Sequence, residues 1–133
     1  MNPPSLIDTD ILSELFKEHP KVNARAEEYL QEHTRLTISH IQKYEVLKGL
    51  KAKKADKQIA LFKRFCAKND MLSITDNAIE KAADIYASLK LAGNIISDAD
   101  IFVAAIAITN NLVLVTNNVN HFNRIKGLKL RER

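Results

Sequence analysis

Five short apolar runs, separated by longer stretches with helical spacing, constrain the fold of this chain more than any other feature. The runs are residues 6–7, 36–38, 71–74, 112–115 and 128–130. Short apolar runs that alternate with helices are typical of a parallel sheet covered on both faces. A chain of 133 residues is long enough for one domain. We therefore predict a single α/β domain over residues 1–133, in three layers, with a central parallel sheet of four to five strands flanked by helices.

The stretches between the runs predict six helices, at residues 11–18, 22–32, 39–50, 56–68, 75–92 and 97–109. Ser39 and Gln42 have the spacing of a capping box at the start of the third helix. The apolar residues that we expect to face inward are Tyr44, Leu47 and Leu50 in the third helix and Ile79, Ala82, Ala83, Tyr86 and Leu89 in the fifth. The helix at 97–109 is apolar all round after its first turn, which predicts a buried helix.

Five acidic residues lie where the predicted strands end or where helices begin. Asp8 and Asp10 follow the first apolar run, Glu45 lies in the early turns of the third helix, and Asp98 and Asp100 open the helix at 97–109. In parallel sheets the ligand sits beyond the carboxyl ends of the strands. Carboxylates that converge at ~5 Å without a cation repel each other by about 3 kcal/mol per pair at an effective dielectric of ~20. Hard oxygen ligands favour Mg²⁺ or Mn²⁺, so the pattern predicts a site for one of these ions.

Two of the acids have a simpler structural interpretation. Asp10 has the position of a helix cap, and Glu45 is placed to pair with Lys48 on an exposed helix surface. Asp8 has no comparable structural task at the end of a buried strand. We therefore expect Asp8 to be a metal ligand.

The acids of the 97–109 helix also have an alternative role. Ser97 and Asp100 match a capping box, and an acid in the first turn interacts favourably with the helix dipole. Two acids two positions apart diverge by roughly 200° around a helix, so they are not expected to be equal ligands. We expect Asp100 to bind the metal directly and Asp98 to play an auxiliary part.

The distribution of charge suits a polyanionic substrate. Nine lysines and arginines lie between Gln42 and Lys68, against only Glu45 and Asp56. Bases that surround an acidic site attract polyanions, although the same lysines could equally form solvated helix faces. The four histidines lack the spacing of a zinc site.

Cysteine content and hydropathy bear on the compartment. Cys66 is the only cysteine, so an intramolecular disulfide is impossible and a reducing cytoplasm is the expected location. No apolar run approaches the ~20 residues that cross a bilayer, so we expect no membrane partner.

Taken together, four motifs resemble the PIN-domain family, specifically the VapC-type toxins of bacterial toxin–antitoxin pairs. The motifs are residues 6–13 (Leu-Ile-Asp-Thr-Asp-Ile-Leu-Ser), 44–49 (Tyr-Glu-Val-Leu-Lys-Gly), 93–105 with Ser97-Asp98-Ala99-Asp100 at its centre, and 114–118 (Leu-Val-Thr-Asn-Asn) followed by His121-Phe122. Each motif is weak alone, but the four occur in order at family spacing and cover almost the whole chain.

The resemblance implies a PIN-like fold whose first strand is central, and a ribonuclease site that depends on Mg²⁺ or Mn²⁺. It implies catalytic roles for Asp8, Glu45, Asp98 and Asp100, with Asp8 and Asp100 as metal ligands. Supporting roles fall on Thr9, Asp10, Thr116 and Asn118, and we expect Thr116 and Asn118 to hydrogen-bond the metal ligands. Asp10 stands where the family usually has Asn, and Asn118 stands where many members have a fourth acid, which favours one firm metal site over two.

The resemblance also implies partners. They are an RNA substrate, with transfer RNA the favoured class, a VapB-like antitoxin whose tail lies along the helices near Glu45 and Lys63, and a second copy of the chain in a homodimer.

Two rival functions remain open from the sequence. Asp8-Thr9-Asp10 has the D-x-D form of haloacid-dehalogenase-like phosphatases, but Leu12 stands where that family has Thr. The other rival is a non-catalytic PIN-like module that binds RNA or an antitoxin, although a carboxylate pocket that faces phosphates does not help such a module.

Overall fold

Strands and helices alternate along the computed structural model of this protein, which describes residues 2–132. Their order is β1 (Ser5–Ile7), α1 (Thr9–Phe16), α2 (Pro20–Glu32), β2 (Thr37–Ser39), α3 (His40–Ala52), α4 (Asp56–Lys68), β3 (Asp70–Leu72), α5 (Asp76–Leu91), α6 (Asp98–Thr109), β4 (Val113–Thr116), α7 (Val119–Phe122) and β5 (Lys129–Glu132). All strand pairs within this range are parallel, as the alternating pattern predicted.

The strands form two hydrogen-bonded sheets rather than the one sheet of four to five strands that we predicted. One sheet has the order β1-β4-β5, and β2 pairs only with β3. β1 and β2 contact each other, but the side-chain amide of Gln42 donates to the Ile7 carbonyl at 2.7 Å. Gln42 Oε1 accepts the Ser39 amide, also at 2.7 Å. The prediction of a single sheet was wrong because the Gln42 side chain binds the Ile7 carbonyl at the end of β1 and the Ser39 amide at the end of β2.

Three layers follow from the alternation of side chains along β1. Leu6 belongs to a core cluster with residues of α5 and α6. Ile7, the next residue, belongs to a second cluster with residues of α1, α2 and α4. Since successive strand residues point to opposite faces, the strands lie between two helical layers. α6 is buried along most of its length, as its uniformly apolar sequence predicted.

Three details of the helices differ from the prediction. Pro20 begins α2, two residues before the predicted start at residue 22, because proline suits a first helical turn. Tyr44 is 63% exposed, so its predicted inward position is wrong. The buried stripe of α5 is Ala78, Ala82, Ile85 and Leu89, whereas Ile79 and Tyr86 are exposed. The two α5 stripes have similar spacing, so only the packing against α6 distinguishes them.

None of the helices within residues 2–132 combines the length and the apolar character that crossing a membrane requires.

Candidate active site

Asp8 lies at the carboxyl end of β1 and is only 5% exposed. Its backbone amide continues the β1–β4 pairing by donating to the Val115 carbonyl at 3.0 Å. Its Oδ1 accepts the Thr9 amide at 2.8 Å, and its Oδ2 accepts the Thr116 hydroxyl at 2.7 Å. The start of α1 and the end of β4 therefore orient this carboxylate.

Thr116 and Asn118 connect the end of β4 to this carboxylate. Thr116 is fully buried, and its hydroxyl oxygen also accepts the Asn118 backbone amide at 3.0 Å. The Asn118 side chain is exposed and makes no hydrogen bond to another described residue. Thr116 therefore contacts Asp8 directly, and Asn118 reaches it only through Thr116.

Asp10 occupies the first turn of α1 beside Asp8. Its carboxylate accepts the Ile11 amide at 2.8 Å and the Asn117 amide at 2.9 Å. The Asn117 side chain donates in turn to Glu14, one turn further along α1. Asp10 thus ties α1 to the turn after β4, which is a structural contribution in addition to its charge.

Glu45 reaches the same region from α3. Its Oε1 accepts the Thr9 hydroxyl at 3.0 Å. The capping box of Ser39 and Gln42 fixes the start of this helix, and Gln42 also holds the residue before Asp8 through the Ile7 carbonyl. The buried hydrogen bond from Gln42 to the Ile7 carbonyl therefore sets the spacing between Asp8 and Glu45.

Asp100 approaches from the first turn of α6. Ser97 caps this helix by accepting the Asp100 amide at 3.2 Å. The Asp100 carboxylate is 3.5 Å from His121 Nδ1 in α7. Asp98 is exposed, and within residues 2–132 no hydrogen bond joins it to the other acids.

The electrostatics of Asp8 show which acids lie close together. Burial, together with smaller contributions from the charges of Asp10 and Asp100, raises the pKa of Asp8 to about 6. The hydrogen bonds from Thr116 and Thr9 act in the opposite direction but do not outweigh burial. None of the five main contributions to this shift comes from a positively charged group. Asp8 and Asp100, far apart in the sequence, therefore lie within electrostatic range of each other.

Burial also raises the pKa of Asp10. The amides of Asn117 and Ile11 lower it in part, while the nearby charge of Glu14 raises it again. Two adjacent carboxyls with raised pKa values mark a place where negative charge is unfavourable without a cation.

These donors fit Mg²⁺ or Mn²⁺ in kind. Within residues 2–132 no three His, Cys, Asp or Glu side chains are grouped closely enough to surround an ion together. Mg²⁺ commonly binds one or two carboxylates and completes its shell with water. A pair such as Asp8 and Asp100 is therefore compatible with this ion, and the ion would supply the counter-charge that Asp8 lacks.

Sequence reasoning missed four residues that position the site. These residues are Glu14, Gln42, Asn117 and His121. Glu14 is one turn after Asp10, which is a signal that a sequence can show. The contacts of Gln42, Asn117 and His121 bridge distant segments, which a single sequence cannot show.

The family model of the PIN domain matches residues 5–128, and the chain therefore belongs to the PIN-domain family. Curated relatives are ribonucleases named VapC. The chain is 34% identical over 127 residues to ribonuclease VapC1 of Methanocaldococcus jannaschii, covering 94% of this chain and 85% of that protein. It is 28% identical to ribonuclease VapC2 of Rickettsia felis, with 94% of each chain covered. The tRNA(fMet)-specific endonuclease VapC of Shigella flexneri is 26% identical, with 93% of each chain covered.

Solved structures agree with this assignment. VapBC2 from Rickettsia felis, bound to a DNA fragment from its promoter, matches with a TM-score of 0.86 at 25% identity, covering 97% of this chain and 98% of that one. DNA-bound VapBC from Salmonella typhimurium matches with a TM-score of 0.86 at 26% identity, covering 99% and 98%. The PIN-like fold that the sequence predicted is confirmed.

Proposed function

We propose that this protein is a metal-dependent endoribonuclease and the toxin of a VapBC-type toxin–antitoxin pair. The observation that carries the proposal is the buried carboxylate of Asp8, which the start of α1 and the end of β4 orient and whose pKa the charges of Asp10 and Asp100 help to raise. The ribonuclease names of the VapC relatives support the same reaction class.

Each residue has a distinct part in the proposed hydrolysis of an RNA phosphodiester. Asp8 and Asp100 would hold Mg²⁺ or Mn²⁺, and Thr116 fixes the orientation of Asp8 through its hydroxyl. Glu45 and Asp98 would ligate the ion through water or orient the attacking water. When bound, the ion lowers the pKa of water and stabilises the charge that develops on the phosphate. Thr9 holds Glu45 toward Asp8 through its hydroxyl, while its amide binds Asp8 itself.

The proposed substrate is RNA, acted on in the cytoplasm. The basic residues of α3 and α4 would bind its phosphates. A relative from Shigella flexneri is named a tRNA(fMet)-specific endonuclease, which favours transfer RNA as the first substrate to test.

We also propose a VapB-like antitoxin as a protein partner and a homodimer as the assembly, since the matched structures are VapBC complexes. Co-expression with the neighbouring reading frame is expected to relieve growth arrest by this chain. Equal arrest with and without that frame would contradict the pairing.

A cleavage assay on purified protein tests the nuclease function. We expect cleavage of RNA in Mg²⁺ or Mn²⁺, none in EDTA, and a loss of at least about 100-fold in Asp8→Asn and in Asp100→Asn, because a metal contributes several kcal/mol to the transition state. Asp76→Asn is the matched control, since Asp76 is also a first-turn acid but belongs to α5. Wild-type rates in Asp8→Asn or Asp100→Asn would contradict the assignment. RNA binding that is unchanged in EDTA, without any cleavage in Mn²⁺, would favour the non-catalytic module.

A further inference from the structure

Tyr44 is an exposed aromatic residue immediately beside the acidic site. Its side chain is 63% exposed, although Val46, Leu47 and Leu50 of the same helix pack against the core. Its neighbour Glu45 accepts the Thr9 hydroxyl and so faces the region of Asp8. The packing of α3 within the described chain therefore leaves this ring facing solvent next to the site.

Two lysines share the helix face of Tyr44. Lys48 and Lys51 are four and seven residues further along α3. At 3.6 residues per turn they lie within about 40° of Tyr44 around the helix axis. Both are exposed, and the Lys48 ammonium lies 5.2 Å from the centroid of the Tyr44 ring. Lys48 thus lies over one face of the ring, while the exposure of Tyr44 leaves much of this residue open to solvent. We call Tyr44, Lys48 and Lys51 the α3 strip.

We propose that the α3 strip binds single-stranded RNA, with a base stacked on Tyr44 and the adjoining phosphates on Lys48 and Lys51. This inference rests on the proposed nuclease function and names how its substrate is held. Proteins that bind single strands combine aromatic rings, on which bases stack, with cations that follow the backbone. Because Tyr44 is the neighbour of Glu45, the α3 strip would place a phosphodiester near the acids. The positive charges of Lys48 and Lys51 would reduce the repulsion between the phosphates and the carboxylates.

The chemistry of the strip favours a nucleic acid over a protein partner. An apolar protein docking face would present aliphatic residues around the ring, whereas the ring here is followed by two exposed lysines. Stacking needs only one exposed aromatic face, and phosphate binding needs only cations at its side. A protein partner is nevertheless a defined outcome of the test below.

The test measures binding of a short single-stranded RNA that carries 2-aminopurine, with Asp8→Asn as the parent protein so that the RNA stays intact. Adding Tyr44→Ala is expected to weaken binding by at least about 5-fold and to reduce the quenching of 2-aminopurine, because the stacked base loses its platform. Tyr44→Phe, which keeps the aromatic face, is expected to bind like the parent. Adding Lys48→Gln is expected to lower the slope of log affinity against log salt by about 1. Thermal unfolding of each variant shows whether the exposed substitutions leave the fold intact.

Tyr86 and Lys90 provide a matched control. They form the same kind of pair on α5, with Lys90 Nζ 5.9 Å from the ring centroid. Tyr86 is also exposed, and α5 carries no residue of the proposed site. Adding Tyr86→Ala to the parent is expected to leave RNA affinity unchanged.

Several results would overturn the inference. They are no RNA binding by the Asp8→Asn parent, equal affinity in the parent and in Tyr44→Ala, and an equal loss from Tyr86→Ala. Unchanged RNA affinity with a weakened antitoxin complex in Tyr44→Ala would assign the strip to a protein instead. Cleavage of RNA by the protein with intact Asp8 is a separate test of the nuclease function. The nuclease function can therefore be contradicted while RNA binding by the α3 strip is supported, and RNA binding by the strip can be contradicted while cleavage is observed.

Discussion

At the scale of single residues, burial disfavours the charged form of the Asp8 carboxyl. Its two oxygens have hydrogen-bond donors, yet burial and the neighbouring acids raise its pKa to about 6. A group in this state makes the apo protein less stable at neutral pH and makes the site ready for a cation. The pKa shift and the proposed metal requirement therefore have one physical cause.

Asp8→Asn should change the dependence of stability on pH. The folded protein keeps the Asp8 proton up to about pH 6, whereas the unfolded chain loses it near pH 4. The free energy of unfolding of the wild type therefore falls as pH rises between these values, by about 3 kcal/mol, and Asn lacks this term. In urea denaturation with EDTA, Asp8→Asn should match the wild type near pH 4 and exceed it in stability at pH 8. A difference that stays constant across this range would count against the raised pKa.

Thr116 supplies a hydrogen bond that can be removed almost without changing shape. Thr116→Val loses the donor to Asp8, and because that hydrogen bond lowers the pKa of Asp8, its loss raises the pKa further. The acidic limb of kcat/KM against pH should move to higher pH in Thr116→Val and stay in place in Thr116→Ser. If the limb has the same midpoint in all three proteins, Thr116 does not act through Asp8.

At the scale of elements, Gln42 joins three segments that carry the site. It caps α3, binds the carbonyl of the residue before Asp8, and lies three residues before Glu45. It is completely buried. Its side chain lies between the two sheets and connects β1, β2 and α3. The geometry of the site therefore depends on side-chain hydrogen bonds and not on the backbone hydrogen bonds of a sheet.

Gln42→Leu should be strongly destabilising. It leaves the Ile7 carbonyl and the Ser39 amide without their partner in the interior, and each such group costs about 1–3 kcal/mol. We expect a loss of roughly 2–5 kcal/mol in the free energy of unfolding, measured by urea denaturation. Gln58→Leu on the exposed side of α4 is the control and should cost little. A loss below that of the control would show that the Gln42 contacts do not hold the strands.

The sequence predicted elements well where one local signal was sufficient. The apolar character of 101–108 identified α6 as buried, and the capping box located the start of α3. The sequence-based prediction failed where a side chain had the same local signal for facing the core and for facing solvent. Tyr44 has helical spacing with Leu47 and Leu50, yet only the packing of α3 on its neighbours decides that the ring faces solvent.

At the scale of the whole molecule, parallel strands bring distant segments to one edge. The ends of β1 and β4 meet there, so Asp8 and Thr116 bond although the chain between them forms most of the domain. The parallel direction of the strands could be anticipated from the alternating pattern. The partners of Asp10 and Asp100, which are Asn117 and His121, could not, because their pairing exists only after the helices have packed.

The central claim is that acids from distant segments share one site for a divalent cation. Calorimetric titration of the purified protein with Mg²⁺ or Mn²⁺ tests this claim without relying on any RNA. We expect the wild type and the Asp76→Asn control to bind the ion with equal affinity, and Asp8→Asn and Asp100→Asn each to lose binding, since either change removes a carboxylate of the same site. Ion binding by both variants as tight as that of the wild type would contradict the account.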